Sequence, residues 1–159
     1  MAQSTTAGPR SKSRELAEAR EQQFAKSAIL YAISNAPSDA QAAVQKIAAS
    51  AARLCDAYDA GVLQRADKHL RLVAHHGAIP PAGPIGQGAL APARAVLIGR
   101  TVLDRQMLQV TDLQAETEEY PEGREIARRL GHRTILVVPL IRNAEAIGAI
   151  FIRQKEVRP

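Results

Sequence analysis

A chain of 159 residues, 46% apolar and 23% charged, has the size of one ordinary globular domain and enough apolar residues for a real core. A single cysteine excludes a disulfide framework, a multi-cysteine zinc site and a redox cycle between two thiols of one chain. With no Trp, two Phe and three Tyr, the core is aliphatic and a base-stacking surface for single-stranded nucleic acid is excluded.

Residues 1–14 hold Arg10, Lys12 and Arg14, no acid, and mostly Ser, Thr, Gly and Pro. They are expected to be a disordered basic tail. Setting those three aside leaves 18 of the 21 basic residues against 16 acidic ones, so most of the +5 charge lies outside the domain. Glu15 to Ser34 has helical periodicity, with Phe24, Ala28 and Tyr31 on one face and Ile29, Leu30 and Ile33 widening it. Asn35 to Asp39 breaks that helix and caps a second, whose apolar positions 40, 43, 44, 47, 48, 51, 54 and 55 fit the helical period. Cys55 falls on this stripe, which predicts a buried, inert thiol.

Ala60–Gln64 and Leu70–His75 are β-type runs around a charged turn, and read as a hairpin. Residues 76–93 hold four prolines and four glycines, and long irregular segments of this kind inside a domain tend to be binding loops. Val96, Gly99, Arg100 and Leu103 share one helix face, and a short strand follows at Met107–Thr111. An acidic loop leads to Pro121 and a helix ending at Gly131, a natural C′ residue. Thr134–Ile141 and Ile147–Gln154 form the clearest hairpin, expected at the centre of the sheet. The order predicts an α+β sandwich around a mainly antiparallel sheet.

The run Gly131-His132-Arg133-Thr134-Ile135-Leu136-Val137-Val138-Pro139-Leu140, followed by Ile147-Gly148-Ala149-Ile150, resembles the closing hairpin of GAF domains. Ala52–Ala57 before the first strand, and Ile98–Asp104 before Val110–Leu113, resemble the same family, in its order and at its spacing. The resemblance covers about residues 24–157 and is closest to GAF domains of bacterial sensor histidine kinases and related signalling proteins. It implies a GAF-type (PAS-like) sandwich of five to six strands with helices on both faces, spanning residues 35–159. GAF domains usually close with a further helix, and the chain stops at Pro159 before one; the expectation is a piece of a longer protein whose output domain lies beyond. Residues 15–34 would then be a signalling helix that forms a homodimer. The family often places Asp-Gly or Asn-Gly where this hairpin has Asn143-Ala144, so a different turn type is expected.

The resemblance implies a non-catalytic sensor of a small molecule whose identity stays open, or else a ligand-free dimerisation scaffold or the sensory domain of a nucleotide cyclase or transcriptional regulator. Bilin-binding relatives attach their chromophore elsewhere than at Cys55, and free-methionine sulfoxide reductases of the family use several cysteines. Haem and other metals are not expected: His75 and His76 have no ligand-spaced acid or Cys nearby, and His69 and His132 stand alone. The residues expected to line a pocket are Gln64, His75, Arg100, Arg133 and Thr134, with an arginine fork suited to carboxylate or phosphate. The competing reading pairs both arginines with Asp104 and Asp112. Arg124, Arg128 and Arg129 are the best basic cluster, but acids surround them, so no nucleic-acid partner is expected. No apolar stretch approaches the ~20 residues needed to span a bilayer, and no signal-peptide core precedes the domain. The expected location is the cytoplasm.

Overall fold

A computed structural model describes residues 37–86 and 90–159. The expected tail and signalling helix lie outside the described residues. The chain divides at Ala43/Val44 into two units, and the sheet, its later helices and the candidate site belong to the second.

Helix α1 spans Pro37–Leu54, beginning earlier than the apolar stripe suggests because Pro is tolerated in a first helical turn. It buries Ile47, Ala48 and Ala52. It also stops one residue before Cys55, and the chain turns through Asp56 at φ 47°. Cys55 is therefore exposed, which corrects the expectation of a core thiol.

The strands are β1 (Asp59–Ala66), β2 (His69–Gly77), β3 (Leu108–Val110), β4 (Thr134–Arg142) and β5 (Glu145–Gln154). They form one sheet in the order β2-β1-β5-β4-β3, with every pair antiparallel. The closing hairpin thus supplies the central strand. Pro139 stands in β4 opposite Ala149 of β5 and beyond Ile135–Val137, the stretch that pairs with β3, so on the β3 side no strand asks it for an N–H. At the hairpin tip Asn143 and Ala144 have φ of 50° and 64°. Two left-handed central residues are what a type I′ turn requires, so the turn keeps the ordinary geometry in spite of the alanine.

Helices α2 (Leu97–Asp104) and α3 (Pro121–Leu130) follow, the latter closed by Gly131 in the left-handed conformation at φ 79°. Leu97 and Val102 of α2 and Ala127 of α3 share one core with Leu63, Ile135, Val137, Ala149 and Phe151 of the sheet. Ala60, Val62 and Ala74 are also buried, and strand alternation turns them to the opposite face. The Phe151 ring lies against Gly61, where a Cβ would come within 2.2 Å of it. That cross-strand gap lets the largest inward side chain of β5 lie flat on β1.

The outer edge of β2 is not left bare. The side-chain amide of Gln45 donates to the His75 carbonyl (2.6 Å) and accepts from its N–H (3.4 Å). Gly86 N–H bonds to Leu72 O (2.8 Å), and Leu70 and Leu90 exchange a pair of backbone bonds at 2.8 and 2.9 Å. The Pro/Gly-rich segment therefore runs along the sheet and covers an edge that would otherwise template aggregation.

Candidate functional site

Between the inward face of the sheet, α2 and α3 lies a cavity of about 300 Å³. Leu70 and Leu72 of β2, Ile135 of β4 and Phe151 of β5 form its floor; Leu97 and Ile98 of α2 and Ile126 and Leu130 of α3 form its walls. Ala82, Gly83, Pro84 and Leu90 of the edge-covering segment also line it. The described lining is apolar except where His132 and Arg153 contribute a ring and a guanidinium.

Arg153 is 4% exposed and follows Ala149 and Phe151 at alternate positions of β5, so strand geometry aims it inward. Burial of a guanidinium is costly unless its charge and protons are met. Its Nε donates to Asp59 Oδ1 at 2.5 Å, and its Nη2 donates to Ile79 O (3.2 Å) and Pro80 O (3.3 Å). Asp59 is wholly buried, and its second oxygen meets His75 Nε2. Nε and Nη2 carry the bonds of Arg153 among the described residues, which leaves Nη1 its protons. Among the described residues Arg153 is also the one charged side chain in the lining.

His132 is 2% exposed, and its Nδ1 is buried without a hydrogen-bond partner. Burial, and then the charge of Arg153, pushes its pKa down to about 4, so the ring is neutral at pH 7. The backbone on either side holds it. Gln114 Nε2 donates to His132 O at 2.8 Å, and Arg133 N–H donates to Gln154 O at 2.8 Å. An unpaired buried nitrogen in a native fold calls for an explanation, and the same residue is one of those that line the cavity.

None of the five residues read from the sequence lines this cavity. Gln64 is exposed on β1. His75 sits behind the site, bonded to Asp59 with Arg153 Nη2 at 3.4 Å. Arg100 lies on the outer side of α2, paired with Glu119 at 2.9 Å and Asp104 at 3.7 Å. Arg133 clasps Asp112 with both Nε and Nη2. Thr134 is buried, but its hydroxyl donates to Thr111 O (2.6 Å) and accepts from Arg158 N–H (2.7 Å), which ties down the end of the chain. The arginines thus pair with acids, as the competing reading had it for Asp104 and Asp112. The residues that sequence reasoning missed are Arg153 and Asp59, and it left His132 aside as isolated. The available signal was alternation: Ala149, Phe151 and Arg153 share a strand face, and a charge there has to be buried.

Among the described residues no three His, Cys, Asp or Glu side chains converge as a metal site would require. Among them, too, no helix is long and apolar enough to cross a membrane. Cys55 lies away from the cavity, and partial burial pushes its thiol pKa up, which disfavours the reactive thiolate.

The family model described as GAF domain matches residues 37–158. No curated protein matches the sequence. Among solved structures, the chain is similar to the GAF domain of a phosphoenolpyruvate-protein phosphotransferase from Coxiella burnetii, with a TM-score of 0.62, 18% identity and coverage of 74% of this chain and 68% of that one. It is also similar to a GAF domain/HD domain protein from Geobacter sulfurreducens, with a TM-score of 0.59, 20% identity and coverage of 75% and 76%. A type II free methionine-R-sulfoxide reductase from Thermoplasma acidophilum aligns with a TM-score of 0.55, 16% identity and coverage of 74% and 75%. At these identities the likeness is one of fold.

Proposed function

The chain belongs to the GAF domain family, and on that premise we propose that it is a regulatory module that binds a small molecule in the cavity beside His132 and Arg153. The observation that carries this reading is an apolar cavity of about 300 Å³ whose lining includes one buried imidazole and one buried guanidinium. A protein core is ordinarily packed to crystal density, and here the sheet and the two helices leave space between them. Pockets that bind small molecules share this composition, with a greasy wall and a few fixed polar groups. The single cysteine, and a cavity lining without a nucleophile among the described residues, favour a module without catalysis of its own.

In this reading the module is the sensory part of a cytoplasmic bacterial signalling protein, a sensor histidine kinase by the resemblance of its motifs. It pairs with a second copy through residues 15–34 and passes ligand occupancy to an output domain in cis, with no nucleic-acid or membrane partner and no bilin, haem or metal cofactor. Ligand binding shifts a pre-existing equilibrium of packing around α2 and α3. The test is native mass spectrometry of the purified chain, followed by thermal denaturation against a panel of metabolites. A mass excess lost on denaturation, or a ligand that raises the Tm in proportion to its concentration, supports the module. No excess and no shift across the panel would overturn it in favour of a dimerisation scaffold.

A further inference from the structure

We propose that the cavity takes an apolar monocarboxylate, its carboxylate seated between His132 and Arg153 and its hydrocarbon body along Leu70, Leu97 and Ile126. The inference rests on the cavity being a ligand site and names the class of ligand.

Three observations converge on it. The first is charge: among the described residues Arg153 is the one charged group in the lining, and none of their acids faces the cavity to repel an anion. Asp59 balances the guanidinium from behind through Nε, and the Nη2 protons go to Ile79 O and Pro80 O. Nη1 is left to donate a charge-assisted bond, which carboxylate oxygens accept best. The second is His132, whose ring is buried, neutral and missing a partner for Nδ1. The same positive charge that depresses its titration favours an anion beside it. The third is shape. Away from His132 and Arg153 the side chains of the described lining are all aliphatic or aromatic, so they offer a second polar group on the ligand no partner. At the ~30 Å³ that each water occupies in the liquid, the space holds on the order of ten non-hydrogen atoms, the size of an eight-carbon acid.

Three eight-carbon probes that differ only in the head group test the proposal: octanoate, octan-1-ol and octylamine, titrated calorimetrically into the full chain at pH 7.5. Octanoate is expected to bind at least tenfold more tightly than octan-1-ol, and octylamine to bind more weakly than either. His132→Phe keeps the ring volume and should weaken octanoate far more than octan-1-ol, bringing the two to within threefold of each other. A cooperative thermal transition shows that the variant is folded. In the unmodified protein, the His132 ring followed by NMR should titrate at higher pH once octanoate is bound. Ile126→Trp, which fills the cavity, should abolish binding of both probes. Equal affinity for octanoate and octan-1-ol, or a preference for octylamine, would overturn the carboxylate and leave the cavity standing as a ligand site. Octanoate binding that survives Ile126→Trp would place the acid elsewhere and overturn the proposal. Failure of all three probes to bind would overturn the ligand site itself, and the carboxylate with it.

Discussion

Asp59 and Arg153 stand 94 positions apart in the chain and meet at 2.5 Å on adjacent strands, both with under 5% of their surface exposed. The pair closes the polar end of the cavity from behind. It also anchors the edge-covering segment, because the same guanidinium holds the Ile79 and Pro80 carbonyls. Removing one partner of a buried pair leaves the other charged and unmet. Asp59→Ala is therefore expected to cost about 3–5 kcal/mol in urea denaturation. The double variant Asp59→Ala/Arg153→Met should recover much of the loss, and a single variant within about 1 kcal/mol of the parent would contradict the role given to the pair.

His132 sets a pH dependence. Its folded pKa lies near 4, against 6.5 for an ordinary histidine. The unfolded chain therefore binds more protons between those values, and stability must rise with pH across that window and fall as pH drops from 6.5 towards 4. The difference amounts to about 3 kcal/mol at full development. Urea midpoints measured from pH 4 to 7 should show this slope, and His132→Phe should flatten it. A slope unchanged by the substitution would mean that another group is responsible.

The tip of the central hairpin stores strain that one substitution removes. Ala144 has φ 64°, where a Cβ is unwelcome and glycine is not. Ala144→Gly gives up some chain entropy but relieves more, for an expected gain of about 1 kcal/mol in thermal denaturation. A loss would show that the bond from Arg105 Nη1 to Ala144 O, or the turn itself, does not survive the change.

Gly99 tests how closely α2 is seated. A Cβ there would lie 2.3 Å from Ala93 O and 2.4 Å from Ala93 N, and backbone cannot step aside as a side chain can. Alanine improves helix propensity by about 1 kcal/mol, yet the clash should win, for a net loss of about 2 kcal/mol. Chemical denaturation of Gly99→Ala decides between them, and a stabilised variant would mean that α2 can shift away from Ala93.

The sheet and helices were legible because each carries its own period. Val96, Gly99 and Leu103 mark a helix face, and the apolar runs on either side of Arg142 mark a hairpin, with no need to know what lies opposite. The candidate site was less so. Arg100, Arg133 and Thr134 sit on elements read correctly, but side-chain destinations depend on partners that the local pattern does not contain. Arg133 drew attention as a free fork, and Asp112 takes it up. His132 beside it looked unremarkable until the fold turned it inward and left its nitrogen unmet. Arg153 hid within an apolar strand, where its place two residues beyond Phe151 puts it on the buried face. Its partner Asp59 is a contact of long sequence separation, which no local pattern reveals.

Leu70 and Leu72 face two ways: their side chains line the cavity, and their backbones bond to Leu90 and Gly86. Anything that presses on the cavity floor is thus felt at the sheet margin through covalent geometry alone. The amide protons of Gly86 and Leu90 are the natural reporters of this, since each is donated to one of those two leucines. Their rates of deuterium uptake would register whether the chamber is filled without any label, cofactor or output domain, and so give a ligand screen its own built-in gauge.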